Sequence, residues 1–188
     1  MIGYAICGSF CTHERSLGVL RRLAADGADI LPILSETAAT TDTRFGQAEA
    51  LIAQLTEITG RAPVCTIADA EPLGPKTPLE ALVIAPCTGN TLAKLSCGIT
   101  DTAVCMATKA HMRTSRPLLI ALASNDALSA NLANIACMLR RKNVYFVPLV
   151  QDDPVRKPHS LVADFSLLPA SLAAMMLEKQ LLPLFRMP

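Results

Sequence analysis

Four short polar segments each follow an apolar run and carry the side chains best suited to binding a ligand. They are residues 8–12, 35–38, 86–91 and 124–126. Their hydroxyl and amide groups can hydrogen-bond a ligand, and their small residues let the backbone approach it closely. The first segment leads into a predicted helix, whose N-terminus favours an anion such as phosphate. The alternative for each segment is an ordinary turn or helix cap.

Charged and titratable side chains add a second group of candidates. Of the three histidines, His13 lies in the predicted loop 8–14 that contains the first polar segment, where it could hydrogen-bond a ligand, transfer a proton or be solvated. His111 is predicted on a helix surface, and His159 in a loop that could close over a pocket. Arg156 and Lys157 precede it in that loop and could bind a dicarboxylate, the alternative being a solvated loop.

Several familiar catalytic and cofactor motifs are missing from the sequence. It contains neither the three-glycine dinucleotide fingerprint nor a Walker A sequence, so it indicates no NAD or ATP site. There is no serine nucleophile elbow. The seven cysteines are scattered without a CxxC pair, so free, mostly buried thiols and no metal site are predicted.

The candidate segments must be positioned by an alternation of apolar runs and helical patterns, which is typical of βαβ units. We expect one domain, residues 1–188, with a three-layer α/β/α Rossmann-like (flavodoxin-like) sheet of mostly parallel strands and helices on both faces. The polar segments would then converge at the carboxyl ends of the strands, as a site for a phosphorylated aromatic cofactor or nucleotide. Strands are predicted at 2–7, 29–34, 81–85, 117–123 and 144–147, and helices at 15–27, 47–59, 92–97, 101–112, 126–142 and 167–182.

Composition argues against several classes of partner. Seventeen Lys and Arg against sixteen Asp and Glu give a net charge of +1, so neither nucleic acid nor an anionic membrane is predicted to bind. The most apolar window, 117–139, is interrupted by polar residues, and the first ten residues lack a basic segment. A cytoplasmic location is therefore expected. Hydrophobic residues make up 51% of the chain, a surplus that interfaces between protomers would absorb.

Several of these segments together resemble the homo-oligomeric flavin-containing cysteine decarboxylase family, which includes flavin prenyltransferases. The stretches are CGSFCTHE, LSETA, APCTGNTLAKLSCGITD and PLLIALASNDAL. The third is similar to the family's Pro-Ala-Ser-Ala-Asn-Thr segment and the helix that follows it. The resemblance implies a homo-oligomer, commonly built from trimers, and an FMN-type flavin at the sheet edge. The flavin contacts carried over by it are Gly8, Ser9, Phe10, Ser35, Thr88, Gly89, Asn90, Thr91 and Ser124.

The sequence departs from the family pattern at two catalytic positions. Ser124 stands where the prenyltransferases have an arginine, while Asn125 matches the asparagine of the decarboxylases' substrate clamp. Residues 61–82 contain no histidine to match the decarboxylases' catalytic one. These departures argue against peptide decarboxylation and prenyl transfer, which remain the alternative activities.

Other stretches, including AEPLGPKTPLE and KNVYFVPLVQDDPVRKP, are similar to family members that act beside a partner protein using NAD(P). That similarity implies oxidation of a dihydro- or hydroxytetrahydropyridine dicarboxylate to the aromatic dicarboxylate of bacterial spores. The chain would work in the mother-cell cytoplasm. Arg156 or Lys157 would hold a substrate carboxylate, and His13 is the candidate base. A third possibility is a non-catalytic scaffold that stabilises the partner protein.

Overall fold

The computed structural model describes residues 1–186 and contains eight strands and eight helices within that range. The strands are β1 (Ile2–Ile6), β2 (Ile30–Leu34), β3 (Ala81–Thr88), β4 (Leu118–Ser124), β5 (Val144–Phe146), β6 (Leu149–Val150), β7 (Leu161–Ala163) and β8 (Phe185–Arg186). The helices are α1 (His13–Ala25), α2 (Glu36–Thr40), α3 (Ala48–Thr59), α4 (Ile67–Ala70), α5 (Gly89–Cys97), α6 (Ala103–Met112), α7 (Leu132–Leu139) and α8 (Leu168–Met176).

The sheet confirms the flavodoxin-like prediction. Its parallel part has the order β2-β1-β3-β4-β5, and β5 pairs with the first half of β4. The second half of β4 pairs instead with β7, antiparallel, with Ser124 opposite Leu161. β6 and β8 continue the sheet beyond β7. One outer edge of β4 is therefore shared by two strands.

Apolar side chains explain why β3 and β4 are central. Residues 81–87 and 118–124 are buried along their whole length, as parallel strands covered on both faces require. Helix α1 packs with α3 and α8, and α5 packs with α6 and α7, so the sheet has a helical layer on each face. None of the helices in the described part of the chain is long and apolar enough to cross a membrane.

Several predicted boundaries are wrong. β3 runs three residues past the predicted end and takes in Pro86; its register against β4 shifts there, because proline has no N–H for the ladder. Residues 36–40, predicted as part of a polar, turn-rich stretch, form α2. The closing helix ends at Met176 rather than residue 182, since Glu178 takes a positive φ of 58°.

The predicted helix 126–142 is shorter, because its first residues form turns instead. The backbone N–H groups of Ser129 and Asn131 both donate to the carbonyl of Asp126, and α7 begins only at Leu132. The predicted cap of α6 is also wrong, since Thr102 caps it and not Asp101. Asp101 instead pairs with Lys94 at 2.9 Å.

Candidate functional site

The loops that follow β1, β2, β3 and β4 lie where these parallel strands end, at the side of the sheet called here the carboxyl edge. Connections from β1 and β3 leave in opposite directions, toward β2 and β4 respectively. A flavodoxin-like sheet opens its ligand crevice at this reversal. The long loop 151–160 reaches the same edge, because β7 starts beside the end of β4 and the Leu128 amide donates to the His159 carbonyl at 2.9 Å.

The β1–α1 connection is shorter than predicted. A tight turn at Phe10–Thr12 runs directly into α1, which leaves the partly buried Gly8 and Ser9 as the link. The Ser9 hydroxyl donates to the Ala123 carbonyl at 3.0 Å, so it fastens this turn to the end of β4. A Cβ added at Gly8 would lie 3.4 Å from Thr37, which is an ordinary van der Waals contact. The absence of a side chain at Gly8 leaves its backbone accessible, although the space around it is not tight.

His13 is not a loop residue as predicted but the first residue of α1. Its Nε2 lies 2.7 Å from the Cys7 carbonyl oxygen, and its ring packs against Phe10 at 5.1 Å between centroids. Burial lowers the pKa of His13 from 6.5, opposed by the hydrogen bond to Cys7. The ring is neutral at pH 7, and because Nε2 must donate to a carbonyl, Nδ1 carries the lone pair. The ring lines a cavity between α1, α2 and α3.

The third polar segment forms the N-terminus of α5. The Thr88 hydroxyl oxygen accepts from the Thr91 amide at 3.0 Å, a helix cap that satisfies one of the first amides. The amides of Gly89 and Asn90 precede it and have no partner within the helix. The Asn90 side chain is exposed. Together these N–H groups and the helix dipole favour a negative or acceptor-bearing group at this position.

A chain of hydroxyls runs inward from this cap. Thr88 donates to Thr91 Oγ1 at 3.0 Å, and Thr91 donates to the Cys7 sulfur at 3.4 Å. Burial raises the pKa of the Cys7 thiol to about 12, so it remains protonated and is no nucleophile at neutral pH. These contacts tie the end of β3 to the end of β1 across the crevice.

A polar network that the sequence did not predict lies between the end of β4 and the start of α5. Asp126 accepts from the Ser124 hydroxyl and from Asn131 Nδ2, the latter at 2.9 Å, and these two bonds lower the pKa of its carboxyl. Asn131 Oδ1 in turn accepts from Asn134 at 2.9 Å. Gly89 packs against this network so closely that an added Cβ would lie 2.6 Å from Asn131 Nδ2 and closer still to Ser124 Oγ. The sequence signal for the network is the Asn five residues after Asp126, which the helical pattern of this stretch hides.

The second polar segment has a capping role. The Ser35 hydroxyl oxygen accepts from the Ala38 amide at 3.2 Å, which starts α2. The next residue, Glu36, accepts from the Ala103 amide at 3.1 Å through Oε1 and so joins α2 to the N-terminus of α6. Its second oxygen, Oε2, is buried with no hydrogen-bond partner among the described residues.

These bonds limit which side chains can donate to a ligand. The hydroxyl hydrogens of Ser9, Thr88, Thr91 and Ser124 all point to protein acceptors. Ser124 therefore offers only lone pairs, whereas Ser35 accepts one bond and keeps its hydrogen for another acceptor. The free donors beside these hydroxyls therefore include the Ser35 hydroxyl, the α5 amides and the Asn90 side chain.

The loop 151–160 contributes charge. Lys157 pairs with Asp152 at 2.9 Å; this hydrogen bond raises the pKa of Lys157 and lowers that of Asp152. The Arg156 guanidinium forms no ion pair with any of residues 1–186, and Asn125 and Arg156 are not buried.

Two sequence predictions about buried groups are wrong. His111 is fully buried rather than on the helix surface, with Nε2 2.9 Å from the Pro117 carbonyl oxygen. Cys11 and Cys97 are exposed, while Cys7, Cys87 and Cys105 are buried as expected. All seven thiols are free, and no three His, Cys, Asp or Glu side chains within residues 1–186 are grouped to hold a metal ion.

Known proteins share this architecture. The model of the Flavoprotein family matches residues 1–163. The B subunit of dipicolinate synthase from Bacillus subtilis (strain 168) is 39% identical over 183 residues, which cover 97% of this chain and 92% of that protein. The crystal structure of the corresponding B subunit from Bacillus halodurans superimposes with a TM-score of 0.90 at 39% identity, covering 98% of this chain and 95% of the other.

A more distant solved structure has the same fold. Burkholderia xenovorans DmrB, crystallised in complex with FMN and described as a cubic protein cage for redox transfer, matches with a TM-score of 0.70 at 19% identity, over 92% of each chain. The family model covers most of the chain, and the two B-subunit sequences match it nearly from end to end. The chain belongs to the Flavoprotein family, in which it is similar to the B subunit of dipicolinate synthase.

Proposed function

We propose that the chain is the flavin-binding B subunit of a dipicolinate synthase. Acting with a nicotinamide-dependent A subunit, it would oxidise dihydrodipicolinate, or 4-hydroxytetrahydrodipicolinate with loss of the hydroxyl group as water, to dipicolinate. The reaction would take place in the mother-cell cytoplasm of a sporulating bacterium. The observation that carries this proposal is the 39% identity to the B subunit from Bacillus subtilis across 97% of the chain. The carboxyl edge supplies the chemistry that the proposal needs.

The free donors of the carboxyl edge fit an FMN-type flavin. The amides of Gly89 and Asn90 and the Ser35 hydroxyl hydrogen suit the phosphate or the carbonyl oxygens of such a cofactor. Ser124 offers only lone pairs and therefore suits an N–H group of the ring. Gly8, Ser9 and Phe10 form the neighbouring wall, and Thr88 and Thr91 hold the α5 turn. When bound, FMN supplies a hydride acceptor.

The substrate carboxylates would be held by the loop 151–160. The Arg156 guanidinium, unpaired within residues 1–186, can bind a carboxylate in two-pronged fashion, and Lys157 and Asn125 lie on the same edge. His13 is the proposed base, because its lowered pKa keeps it neutral at pH 7 and its Nδ1 can accept a proton. Aromatisation of the ring favours the oxidation, so strong electrostatic activation is not needed.

A visible absorption spectrum of the untagged protein, before and after FMN addition and desalting, tests the flavin assignment. A retained flavin band is the expected result, and the precursor should bleach it only if this chain accepts the hydride. Protein that stays colourless after FMN addition, both in isolation and with the A subunit, contradicts the assignment. The oxidation itself is tested by dipicolinate formation with both proteins and NAD(P).

A scaffold role is the second candidate, and exposed apolar side chains favour it. Leu177, Leu182 and Phe185 are 71%, 72% and 52% exposed. Such residues suit an interface with the A subunit or within a trimer-based homo-oligomer, as for DmrB, which is described as a cage. Dipicolinate formation by the isolated A subunit at the rate of the pair would favour the scaffold role over a redox role for this chain.

A further inference from the structure

A cavity at the C-terminal end of α5 is lined by both cationic and apolar side chains. It lies between α5, α6 and α7, has a volume of about 310 Å³, and is called here the α5–α6–α7 cavity. This volume is at the lower end of the range for small-molecule sites. Its apolar wall is formed by Leu95, Ile99, Met112 and Met138.

Three cations line this cavity: Lys109, Arg113 and Arg141. None of them is in an ion pair with the part of the chain that the structure describes, and no Asp or Glu of that part lines the cavity. The nearby Asp101 is paired with Lys94 at 2.9 Å. No carboxylate of residues 1–186 therefore compensates the positive charge of this cavity.

Helix dipoles explain only part of this arrangement. Lys109 and Arg113 lie at the C-terminal end of α6 and Arg141 lies just beyond α7, where cations are favoured. Lys109 and Arg113 are four residues apart, however, so they share one helix face and repel each other. Arg141 is half-buried and fixed, because its Nη2 donates to the Ser96 carbonyl at 3.0 Å. The helix dipole does not remove the repulsion between Lys109 and Arg113, whereas a bound anion would offset it.

We propose that the α5–α6–α7 cavity binds a small organic dianion with an apolar body, such as a ring-bearing dicarboxylate. The cations would hold the acidic groups through charge-assisted hydrogen bonds, and the methionine and leucine side chains would cover the ring. The choice of a pyridine dicarboxylate as the first ligand rests on the proposed function; the site itself rests on the cavity. It is separate from the carboxyl edge, since the first six residues of α5, about 9 Å of helix, lie between that edge and Leu95.

The test is isothermal titration of the purified protein with pyridine-2,6-dicarboxylate and, in parallel, inorganic phosphate. A background of Arg156→Gln with Lys157→Gln removes the two cations proposed to hold a carboxylate at the carboxyl edge. Dicarboxylate should bind at least about tenfold tighter than phosphate, because phosphate lacks the apolar body. Lys109→Gln with Arg113→Gln should raise the dicarboxylate Kd by about tenfold or more. Arg140→Gln with Lys142→Gln removes the same charge on side chains outside this cavity and should leave Kd within about twofold.

A further variant tests the apolar wall. Ile99 is 47% exposed, so Ile99→Gln leaves the fold intact and should weaken the dicarboxylate more than phosphate. An unchanged Kd in the Lys109 and Arg113 variant, equal binding of phosphate, or no binding of either anion would overturn the proposal. The titration does not depend on bound flavin. A protein that binds no flavin but binds the dicarboxylate in the α5–α6–α7 cavity would therefore contradict the proposed cofactor and support this site.

Discussion

Asn90 shows how a single exposed side chain can be tested as a cofactor contact. It stands in the first turn of α5 beside backbone amides that no residue of the helix satisfies. The side-chain amide nitrogen of Asn90 can donate a hydrogen bond to a ligand, whereas the carboxylate of an aspartate at this position could only accept one. The aspartate would also repel any phosphate bound there.

Asn90→Asp should therefore weaken FMN binding, by about tenfold or more if the side chain contacts the cofactor. Fluorescence titration of FMN measures the change. Gln54→Glu is the matched control, since it makes the same amide-to-carboxylate change where Arg21 already lies 2.8 Å from the amide oxygen. Equal flavin affinity in wild type and Asn90→Asp removes Asn90 from the site.

Two histidines make stability depend on pH. Burial lowers the pKa of His13 and of His111 below 6.5 in the folded chain. Below that pH the unfolded chain binds more protons than the folded one, so stability is complete above pH 6.5 and falls as the pH drops through it. His111 Nδ1 is buried without a hydrogen-bond partner in the described chain, so no acceptor there stabilises a proton.

His111→Gln should make the loss of stability between about pH 7.5 and about pH 5.5 smaller than in wild type, since one titrating group is removed. Urea unfolding at both pH values measures it. His159→Gln, the same substitution on an exposed loop, is the control. Parallel losses in wild type and His111→Gln would show that His111 does not contribute.

At the level of elements, α5 is positioned by a glycine rather than by a large side chain. Gly89 starts the helix, and a Cβ there would meet Asn131 Nδ2 at 2.6 Å and would clash with Ser124 Oγ as well. The network around Asp126 thus fixes how close the helix comes to the end of β4. The separation between α5 and the end of β4 therefore sets the position of the free α5 amides at the carboxyl edge.

Gly89→Ala should destabilise the fold by about 1–3 kcal/mol, because the methyl group forces the network or the helix to move. Gly18→Ala is the control: Gly18 lies inside α1 with nothing within 4 Å of the added Cβ. It should stabilise the protein by about 0.5–1 kcal/mol, since alanine is the better helix former. Urea unfolding compares the two. Equal effects would mean that the space at Gly89 is not limiting.

For the whole molecule, the exposed apolar side chains near the C-terminal end predict association. Leu177 and Phe185 are 71% and 52% exposed. Leu177→Lys with Phe185→Lys should lower the oligomer mass measured by light scattering, because charge at an apolar interface is costly to bury. Val155→Lys, at a 90% exposed loop residue, is the control. An unchanged mass in the double variant places the interface elsewhere.

The main elements were predictable because their signals are local. Buried central strands such as 81–85 and 117–123 are continuous apolar runs, and helices such as 47–59 show a period near 3.6. The strands β6, β7 and β8 were missed, because two or three residues are too few to show a period. The cap of α6 was misassigned because Asp101 and Thr102 are adjacent residues that can both cap a helix. The ion pair of Asp101 with Lys94, on another helix, forms only on folding and leaves the cap to Thr102.

The amino-acid sequence by itself determined the parallel sheet, the order of its polar loops and the family resemblance. Hydrophobic burial and βαβ handedness leave few alternatives once the strands are known. Only the tertiary structure decided which groups meet. The pairing of β7 with the end of β4 brings Arg156 and Lys157 to the carboxyl edge, and the bond from His13 to Cys7 turns the imidazole toward α2 and α3. These contacts join residues far apart in the chain or fix a side-chain rotamer, and neither has a periodic signal in sequence.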